Sequence, residues 1–214
     1  MTPTVFVVDD DAGVRDALAQ MISAAGLSVR TFASGKAFLQ AFAPDWRGCI
    51  LLDVAMPGMS GPELHDALVA RGASLPIVYL TAHGEVPTAV RAMKAGAAEF
   101  LEKPVAGPVL LDAVRRALAI DAERQADATA HAQLRDRFSG LTRREREVMA
   151  LAARGRSNKE IARELGISHR TVEIHRGRVM LKLGLASAFE LAAAAAVCGP
   201  GTGRDPAPRR PKRR

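Results

Sequence analysis

The sequence is poor in the residues that characterise secreted and membrane proteins. It contains two cysteines, one tryptophan and one tyrosine among 214 residues. Cys49 and Cys198 lack the spacing of a metal site, so we interpret them as buried or incidental thiols. The longest stretch of low polarity, residues 185–198, is largely alanine, contains Glu190 and is too short to cross a bilayer. No basic segment precedes the first apolar run, as it would in a secretory signal, so we expect a cytoplasmic protein without a membrane span.

A net negative charge is absent from the second half of the chain, because basic residues outnumber acidic ones there. Residues 1–120 carry 10 Lys and Arg against 12 Asp and Glu, whereas residues 121–214 carry 20 against 11. The basic residues 199–214 explain only part of this asymmetry, because residues 121–198 still carry 14 Lys and Arg against 10 Asp and Glu. The composition therefore predicts two small domains, of which only the second binds a polyanion.

The first half alternates short apolar runs with amphipathic stretches, which is typical of parallel strands connected by helices. Between the runs, apolar residues recur at helical spacing, first in Val14, Leu18 and Ile22 and later in Val90 and Met93. The predicted strands are residues 5–8, 28–32, 49–52, 77–80 and 99–101. We therefore predict a doubly wound α/β domain with a five-stranded parallel sheet.

The second half has no strand-like run after Leu141. Residues 108 to about 138 predict either one long helix or a helix followed by a polar linker. Beyond them, hydroxyl residues predict helix starts, glycines predict helix ends, and residues 199–214 lack apolar side chains and are predicted to be disordered. The predicted starts are Thr142, Ser157, Ser168 and Ser187, and the predicted ends are Gly155, Gly166 and Gly184. This pattern predicts four short helices at residues 138–198, after a first domain at 1–120 and a helical linker at 121–137.

Four of the predicted strands end in residues that can serve one phosphoryl site. These residues are the Asp9-Asp10-Asp11 run, Asp53, Thr81 and Lys103. Because ligands of open α/β sheets bind beyond the carboxyl ends of the strands, the four ends converge on one crevice. Clustered carboxylates require a neutralising cation, and Mg²⁺ binds one or two carboxylates while it keeps several waters. The pattern predicts a metal-assisted site in which Asp53 attacks phosphorus while Lys103 and Thr81 contact the phosphoryl oxygens.

Five motifs occur in a fixed order in this half, at residues 7–11, 51–61, 81–84, 92–97 and 100–104. Through them, residues 4–120 resemble the receiver domain of two-component response regulators, whose fold is flavodoxin-like. The resemblance implies that Asp53 is the phosphoacceptor. It also implies that Asp10, Asp53 and the carbonyl of Ala55 bind Mg²⁺, and that Asp9 supports the metal through its waters.

The same resemblance assigns Thr81 and Phe100 to a switch pair. An aromatic residue beside a strand end is otherwise ordinary core, so the placement of Phe100 three residues before Lys103 decides this interpretation. The resemblance further implies a cis bond between Lys103 and Pro104, an isomer that is common only at X-Pro bonds.

Ala55 and His83 flank the predicted site. Phosphohydrolases with an aspartyl nucleophile usually carry a second acid two residues after it, and here that position is Ala55, which argues against an enzyme. Apolar Ala55 cannot orient an attacking water, so we hypothesise a long-lived phosphoryl group that Ala55→Asn would shorten. We interpret His83 as a loop residue, because no second His or Cys lies nearby.

Two predicted helices of the second half, Asn158–Leu165 and His169–Leu183, are separated by the three-residue turn of a helix-turn-helix. In the second of them Val172, Val179 and Leu183 recur at core spacing, which leaves the other side chains for solvent or DNA. We assign DNA contacts to His169, Arg170, Thr171, Glu173, Ile174, His175, Arg176, Arg178 and Lys182.

Residues 138–197 resemble the LuxR-type helix-turn-helix through motifs at residues 141–148, 157–162 and 167–176. The whole chain resembles the NarL/FixJ class of response regulators, and residues 83–87 and 171–176 are most similar to its FixJ-like branch. Gly177 departs from the pattern and should cost about 1 kcal/mol of helix stability relative to alanine. Either the backbone approaches DNA closely there, or the site tolerates a weaker helix.

The resemblance implies a transcriptional regulator, not an enzyme, which a cognate histidine kinase phosphorylates and which binds duplex DNA. Phosphorylation would bias a surface built from the fourth and fifth helices and the last strand of the receiver domain, so that the chain forms homodimers on paired half-sites. RNA polymerase is a further partner to consider. The alternative is a module whose C-terminal helices bind other proteins, and salt-dependent binding to duplex DNA separates the two.

Overall fold

The computed structural model describes residues 2–82 and 96–198. They belong to two compact units, Met1–Ala126 and Asp127–Arg214, each with its own hydrophobic core. The predicted helix around Val90 and Met93, the loop position of His83 and the disorder of residues 199–214 lie outside the described residues. Helices are numbered below among the described residues only.

The N-terminal unit is built on a five-stranded parallel sheet. Its strands are β1 (Thr4–Val8), β2 (Ser28–Phe32), β3 (Gly48–Asp53), β4 (Ile77–Thr81) and β5 (Glu99–Glu102). The strand order is β2-β1-β3-β4-β5, and every neighbouring pair is parallel. This is the order of the flavodoxin-like doubly wound fold, which confirms the predicted fold class.

Successive residues of a strand point to opposite faces of the sheet. Both faces of this sheet are apolar, and helices cover both of them. On β3, Ile50 joins one apolar cluster with Phe38 and Leu64, whereas Leu51 joins the other with Ile22 and Leu110. All six residues of β3 are buried. The helices that follow the strands are α1 (Ala12–Ala24), α2 (Gly35–Ala41), α3 (Gly61–Ala70) and α4 (Gly107–Ser139). The helix between the second and third strands was expected from the alternating pattern, but the seven residues of α2 are too few to show a helical period.

Helix α4 is a single helix of 33 residues, the first of the two alternatives that the sequence left open. Its first turns bury Leu110 and Val114 against the sheet, and its last turn places Phe138 against the core of the C-terminal unit. Between these turns, Asp121 is buried and accepts a hydrogen bond from the amide of Gly48 at 3.0 Å. Residues of α4 therefore contribute to both hydrophobic cores.

The C-terminal unit is all helical, as predicted. After the end of α4 it contains α5 (Arg143–Ala153), α6 (Asn158–Leu165), α7 (His169–Leu183) and α8 (Ala188–Cys198). The side chains of Thr142, Ser157 and Ser168 accept backbone N–H groups at the predicted helix starts, and the first two form complete capping boxes. At the fourth start, the amide of Glu190 donates to the Ser187 hydroxyl at 3.2 Å. The predicted ends Gly155, Gly166 and Gly184 all have positive φ.

Candidate functional sites

The carboxyl edge of the sheet brings the predicted acidic residues together with a lysine. Asp9 follows β1, Asp53 ends β3, Thr81 ends β4 and Lys103 follows β5. The ammonium of Lys103 donates to a carboxylate oxygen of Asp53 at 2.6 Å and to one of Asp9 at 2.7 Å. The backbone N–H of Lys103 donates to the carbonyl of Thr81 at 2.7 Å, so the pairing of the last two strands sets the position of the lysine. The Lys103-Pro104 bond is cis, as the resemblance implied.

The carboxylates of this edge are largely removed from water. Asp9 is 1% exposed and Asp53 is 6% exposed. Burial raises the pKa of Asp53, and the Asp9 carboxylate raises it further, against the opposing effect of Lys103 and of the Ala55 amide. Burial lowers the pKa of Lys103, but its hydrogen bonds to Asp53 and Asp9 outweigh this and raise it. Burial is thus the main cause of the raised pKa of Asp53, whereas two carboxylates on one ammonium raise the pKa of Lys103.

Backbone groups fix the two buried carboxylates. The second oxygen of Asp53 accepts the amide of Ala55 at 3.0 Å, and Asp9 accepts the amide of Asp11 at 2.9 Å. Asp11 itself caps α1 by accepting the amide of Val14, so the last aspartate of the run has a structural role.

Two residues that we did not predict also shape this edge. Arg15 donates to the carbonyl of Asp9 at 2.8 Å and adds a second positive charge. Gly61 starts α3 so close to β3 that a Cβ there would lie 2.4 Å from the carbonyl oxygen of Asp53. The proximity of Gly61 had a weak signal in the sequence, namely its place at the end of the 51–61 motif.

The donor set of this edge fits a hard divalent cation by its chemistry. No group of three or more His, Cys, Asp or Glu side chains is arranged to hold a metal within residues 2–82 and 96–198. Mg²⁺ does not require such a group, since it binds through one or two carboxylates and retains water. Asp10 is exposed and follows the buried Asp9 in the sequence, and together with Asp53 these three carboxylates outnumber the two cations of this edge, Lys103 and Arg15. The remaining negative charge and the all-oxygen ligands suit this ion.

Phe100, the predicted switch residue, is half-buried beside a hydrogen-bonded pair. Its ring centroid lies 6.1 Å from that of Tyr79 on β4. The Tyr79 hydroxyl and Nδ1 of His65 on α3 lie 3.1 Å apart, and both residues are buried. Burial lowers the pKa of His65 against the opposing charge of Asp66. We did not predict this pair, because no local pattern links residues 14 positions apart on a helix and a strand.

In the C-terminal unit, α6 and α7 form a helix-turn-helix with the predicted bounds. Helix α6 ends at Gly166, whose φ of 63° is left-handed, and α7 starts at its cap Ser168. Arg144 on α5 donates to the carbonyl of Leu165, the last residue of α6, at 2.7 Å. The turn is thus held by glycine, by a side-chain cap and by a third helix.

The structure divides the residues to which we assigned DNA contacts into two groups. Those that are exposed on α7 are His169, Arg170, Glu173, Ile174, Arg178 and Lys182. The others are at least partly engaged within the protein. Thr171 donates its amide to the cap Ser168, Arg176 donates to Asn158 at 2.8 Å, and His175 is half-buried with no partner for Nδ1 among the described residues.

Lys182 is the clearest case of a polar residue of α7 with an internal role. It donates to Glu145 on α5 at 2.7 Å, and the Glu145 side chain is 3% exposed. Burial alone would raise the pKa of Glu145, but hydrogen bonds from Lys182 and Thr142 lower it to about 2. The ion pair stabilises the packing of α7 on α5, while the Lys182 side chain remains 39% exposed.

Two family models match the chain, one for each unit. The response regulator receiver domain matches residues 5–115, and the family of bacterial regulatory proteins of the LuxR type matches residues 139–195. Together they cover most of the sequence and coincide with the sheet unit and the helix-turn-helix.

Curated relatives match nearly the whole chain. The transcriptional regulatory protein FixJ of Azorhizobium caulinodans is 46% identical over 204 residues, which cover 95% of this chain and 97% of that protein. The C4-dicarboxylate transport transcriptional regulatory protein DctR of Rhodobacter capsulatus is 44% identical over 90% of this chain and 98% of its own length.

Solved structures agree with these relatives. The response regulator StyR is 47% identical, with a TM-score of 0.76 over 92% of this chain and 99% of that one. Full-length FixJ from B. japonicum is 39% identical, with a TM-score of 0.57 over 93% of this chain and 98% of that one. The chain therefore belongs to the two-component response regulators that join a receiver domain to a LuxR-type DNA-binding domain, and it is a DNA-binding transcriptional regulator. Its relatives are regulators of transcription, and membership implies a histidine kinase as partner. Among the described residues, no helix is both long and apolar enough to span a bilayer.

Proposed function

We propose that Asp53 is the phosphoacceptor and that its phosphorylation by a histidine kinase controls DNA binding. The observation that supports this most is the contact of the Lys103 ammonium with both Asp53 and Asp9 at the carboxyl edge of the sheet. A carboxylate oxygen of Asp53 forms a bond to phosphorus while the bond from phosphorus to the kinase histidine breaks. Lys103 is placed to neutralise charge on the transferred group, and Thr81 lies at the end of the adjacent strand.

Asp10, Asp53 and the carbonyl of Ala55 would hold Mg²⁺, and Asp9 would orient its waters. When bound, the ion would neutralise the charge of the carboxylates and of the incoming phosphoryl oxygens. Lys103 already pairs with both Asp53 and Asp9, and the incoming phosphoryl group would bring further negative charge to this edge. The excess negative charge noted above therefore makes phosphorylation depend on the cation.

Thr81 and Phe100 form the switch in this proposal. The phosphoryl group draws Thr81 and Lys103 toward it, and the half-buried ring of Phe100 follows into the space that opens beside Tyr79. This change alters the surface around β5, through which two copies of the chain dimerise. The dimer then binds paired half-sites on duplex DNA in the cytoplasm and contacts RNA polymerase there.

The outward residues of α7 read the DNA. Arg170 and Arg178 are exposed and can grip phosphates or guanine edges, while Glu173 can accept from cytosine. His169 and Ile174 are exposed on the same helix. Thr171, His175, Arg176 and Lys182 complete the proposed DNA contacts, although Arg176 also donates to Asn158 and Lys182 to Glu145.

Phosphorylation and DNA binding can be measured in one experiment. The full chain is treated with a small-molecule phosphodonor, with and without Mg²⁺, alongside Asp53→Ala. Intact-mass spectrometry should show one added phosphoryl group in the wild type with Mg²⁺ only, and DNA affinity should rise only in that sample. Equal DNA affinity in all samples would refute control by Asp53.

The lifetime of the phosphoryl group is expected to depend on Ala55. Its side chain is exposed beside the site and offers no hydrogen bond to an incoming water. We expect Ala55→Asn to shorten the phosphoryl half-life several-fold, because an amide can orient that water. An unchanged half-life, followed by intact-mass spectrometry after removal of the phosphodonor, would rule out this role.

A further inference from the structure

Gly177 lies in the middle of α7, the helix that carries the exposed DNA-reading residues. Glycine is a poor helix former, because it loses more backbone freedom than alanine on folding. A positive φ often explains a glycine, but Gly177 is not among the glycines of this chain that adopt one. Its conformation is one that alanine adopts readily.

Packing does not require this glycine either. Apart from its two chain neighbours and the nearby backbone of α7 itself, a Cβ at Gly177 would meet no atom of the described residues within 4 Å. The contrast with two other glycines is large, because a Cβ would lie 2.4 Å from backbone at Gly61 and 1.8 Å from backbone at Gly48. The space in front of Gly177 is open, so the reason for the missing side chain lies outside the chain.

The position of Gly177 on α7 shows what this open space faces. Val172 and Val179 are fully buried on one side of the helix. At spacings of three and four residues on the opposite side lie Arg170, Ile174 and Gly177, all exposed. Ile174 is 45% exposed, so its apolar side chain is available for contact with a partner. The outward side of α7 thus combines an apolar side chain with a gap directly beside it.

We propose that Gly177 determines DNA specificity by letting the backbone of α7 approach the base edges closely, with Ile174 against the methyl group of a thymine. The major groove presents that methyl group as its one apolar feature, and apolar side chains contact it. A Cβ at position 177 would hold the helix away from the bases and separate Ile174 from the methyl group. This inference rests on the proposal that α7 enters the groove.

The test compares Gly177→Ala with the wild type in the full phosphorylated chain. The probes are a duplex enriched from a random pool by the wild type and a random-sequence duplex of the same length, at one salt concentration. We expect Gly177→Ala to lose at least tenfold in affinity for the enriched duplex and less than twofold for the random one. Its melting temperature should rise by a few degrees, because alanine favours the helix. A stability gain with a specific loss of affinity cannot come from damage to the fold.

Ile174→Ala and thymine replacement give a second readout. Deoxyuridine lacks the thymine methyl group, and its substitution at one position of the enriched duplex should weaken wild-type binding. The same substitution should leave the binding of Ile174→Ala and of Gly177→Ala unchanged. If deoxyuridine has no effect on the wild type at any position, the contact between Ile174 and a methyl group is refuted.

Arg178→Ala separates the failure of this inference from the failure of the proposed reading helix. If Arg178→Ala weakens DNA binding while Gly177→Ala does not, α7 enters the groove and Gly177 is merely tolerated. If neither variant changes binding, α7 is not the reading helix. An equal loss on both duplexes for Gly177→Ala would also overturn specificity at this position.

Discussion

The two units of this regulator place their functional residues in opposite ways. In the N-terminal unit, the charged residues converge from four strand ends on a site where Asp9 and Asp53 are almost fully buried. In the C-terminal unit, the residues for DNA lie on the outward side of one helix, and the buried ion pair of Glu145 and Lys182 supports the fold instead. The buried charges therefore have a proposed chemical role in one unit, whereas in the other they form an ion pair between two helices.

This contrast determines what the sequence could predict. The ends of parallel strands meet by topology, so the order of the strands was enough to bring Asp53 and Lys103 together. On a helix, by contrast, hydrophobic spacing identified the buried side but could not divide polar residues between solvent, DNA and internal partners. The ion pair of Lys182 with Glu145 on another helix, for example, had no signal in the sequence.

Removal of Lys103 should have the largest effect. Lys103→Ala takes away the only ammonium that contacts both Asp9 and Asp53 among the described residues. We expect phosphorylation by a small-molecule donor to slow by about 100-fold, as for the loss of one charge-stabilising donor. Initial rates from intact-mass spectrometry measure it, and Lys103→Arg should recover part of the rate. A rate within twofold of the wild type would show that the buried charges are structural in this unit too.

A matched pair of leucines on α7 tests the two sides of the helix. Leu183 is 1% exposed and Leu181 is 82% exposed. Leu183→Ala should destabilise the C-terminal unit by about 2–5 kcal/mol, because it removes buried methyl groups and leaves a cavity. Leu181→Ala should change stability by less than about 0.5 kcal/mol. Hydrogen exchange of the α7 amides measures both, and similar losses would mean that the outward side is covered.

Lys182 and Arg178 distinguish a structural cation from a DNA-reading one. Lys182→Ala should lower the stability of the C-terminal unit by about 1 kcal/mol, a value discounted for the partial exposure of the lysine. Arg178→Ala should leave stability unchanged and weaken DNA binding several-fold. Far-UV circular dichroism during urea unfolding and binding to a labelled duplex supply the two measurements. Weaker DNA binding by fully folded Lys182→Ala would show that Lys182 contacts DNA in addition to Glu145.

The smallest effect is a different pH response of the two units. The folded state lowers the pKa of His65 below its ordinary value near 6.5, so the unfolded chain binds more protons and the N-terminal unit loses stability as pH falls below about 6.5. The pKa of Glu145 falls from 4.5 to about 2, so its contribution is present above pH 4.5 and is lost as pH falls toward 2.

Fluorescence of Trp46 reports on the N-terminal unit alone in this experiment. Circular dichroism reports on the helices of both units, so a transition that it shows without a change in fluorescence belongs to the C-terminal unit. The control His65→Gln should remove the dependence of the N-terminal unit near pH 6.5. If the dependence persists in His65→Gln, another group causes it.

Two hydrogen bonds of the N-terminal unit had no sequence signal. His65 pairs with Tyr79, and Asp121 accepts the amide of Gly48, so both bonds join distant segments. In the sequence, His65 and Asp121 look like ordinary polar residues of amphipathic helices. The strands and the two helices of the helix-turn-helix were predictable because their hydrophobic spacing and their caps are local.

Asp121 has a practical consequence for the modular use of this protein. A phosphorylation module cut at residue 120, where we placed the domain boundary, would lose both the carboxylate that accepts the Gly48 amide and Arg124, which donates to the Ser74 carbonyl at 2.7 Å. The buried amide at the start of β3 would then have no partner within the fragment. Chimeras that join this receiver to other output domains should therefore keep the chain through Arg124.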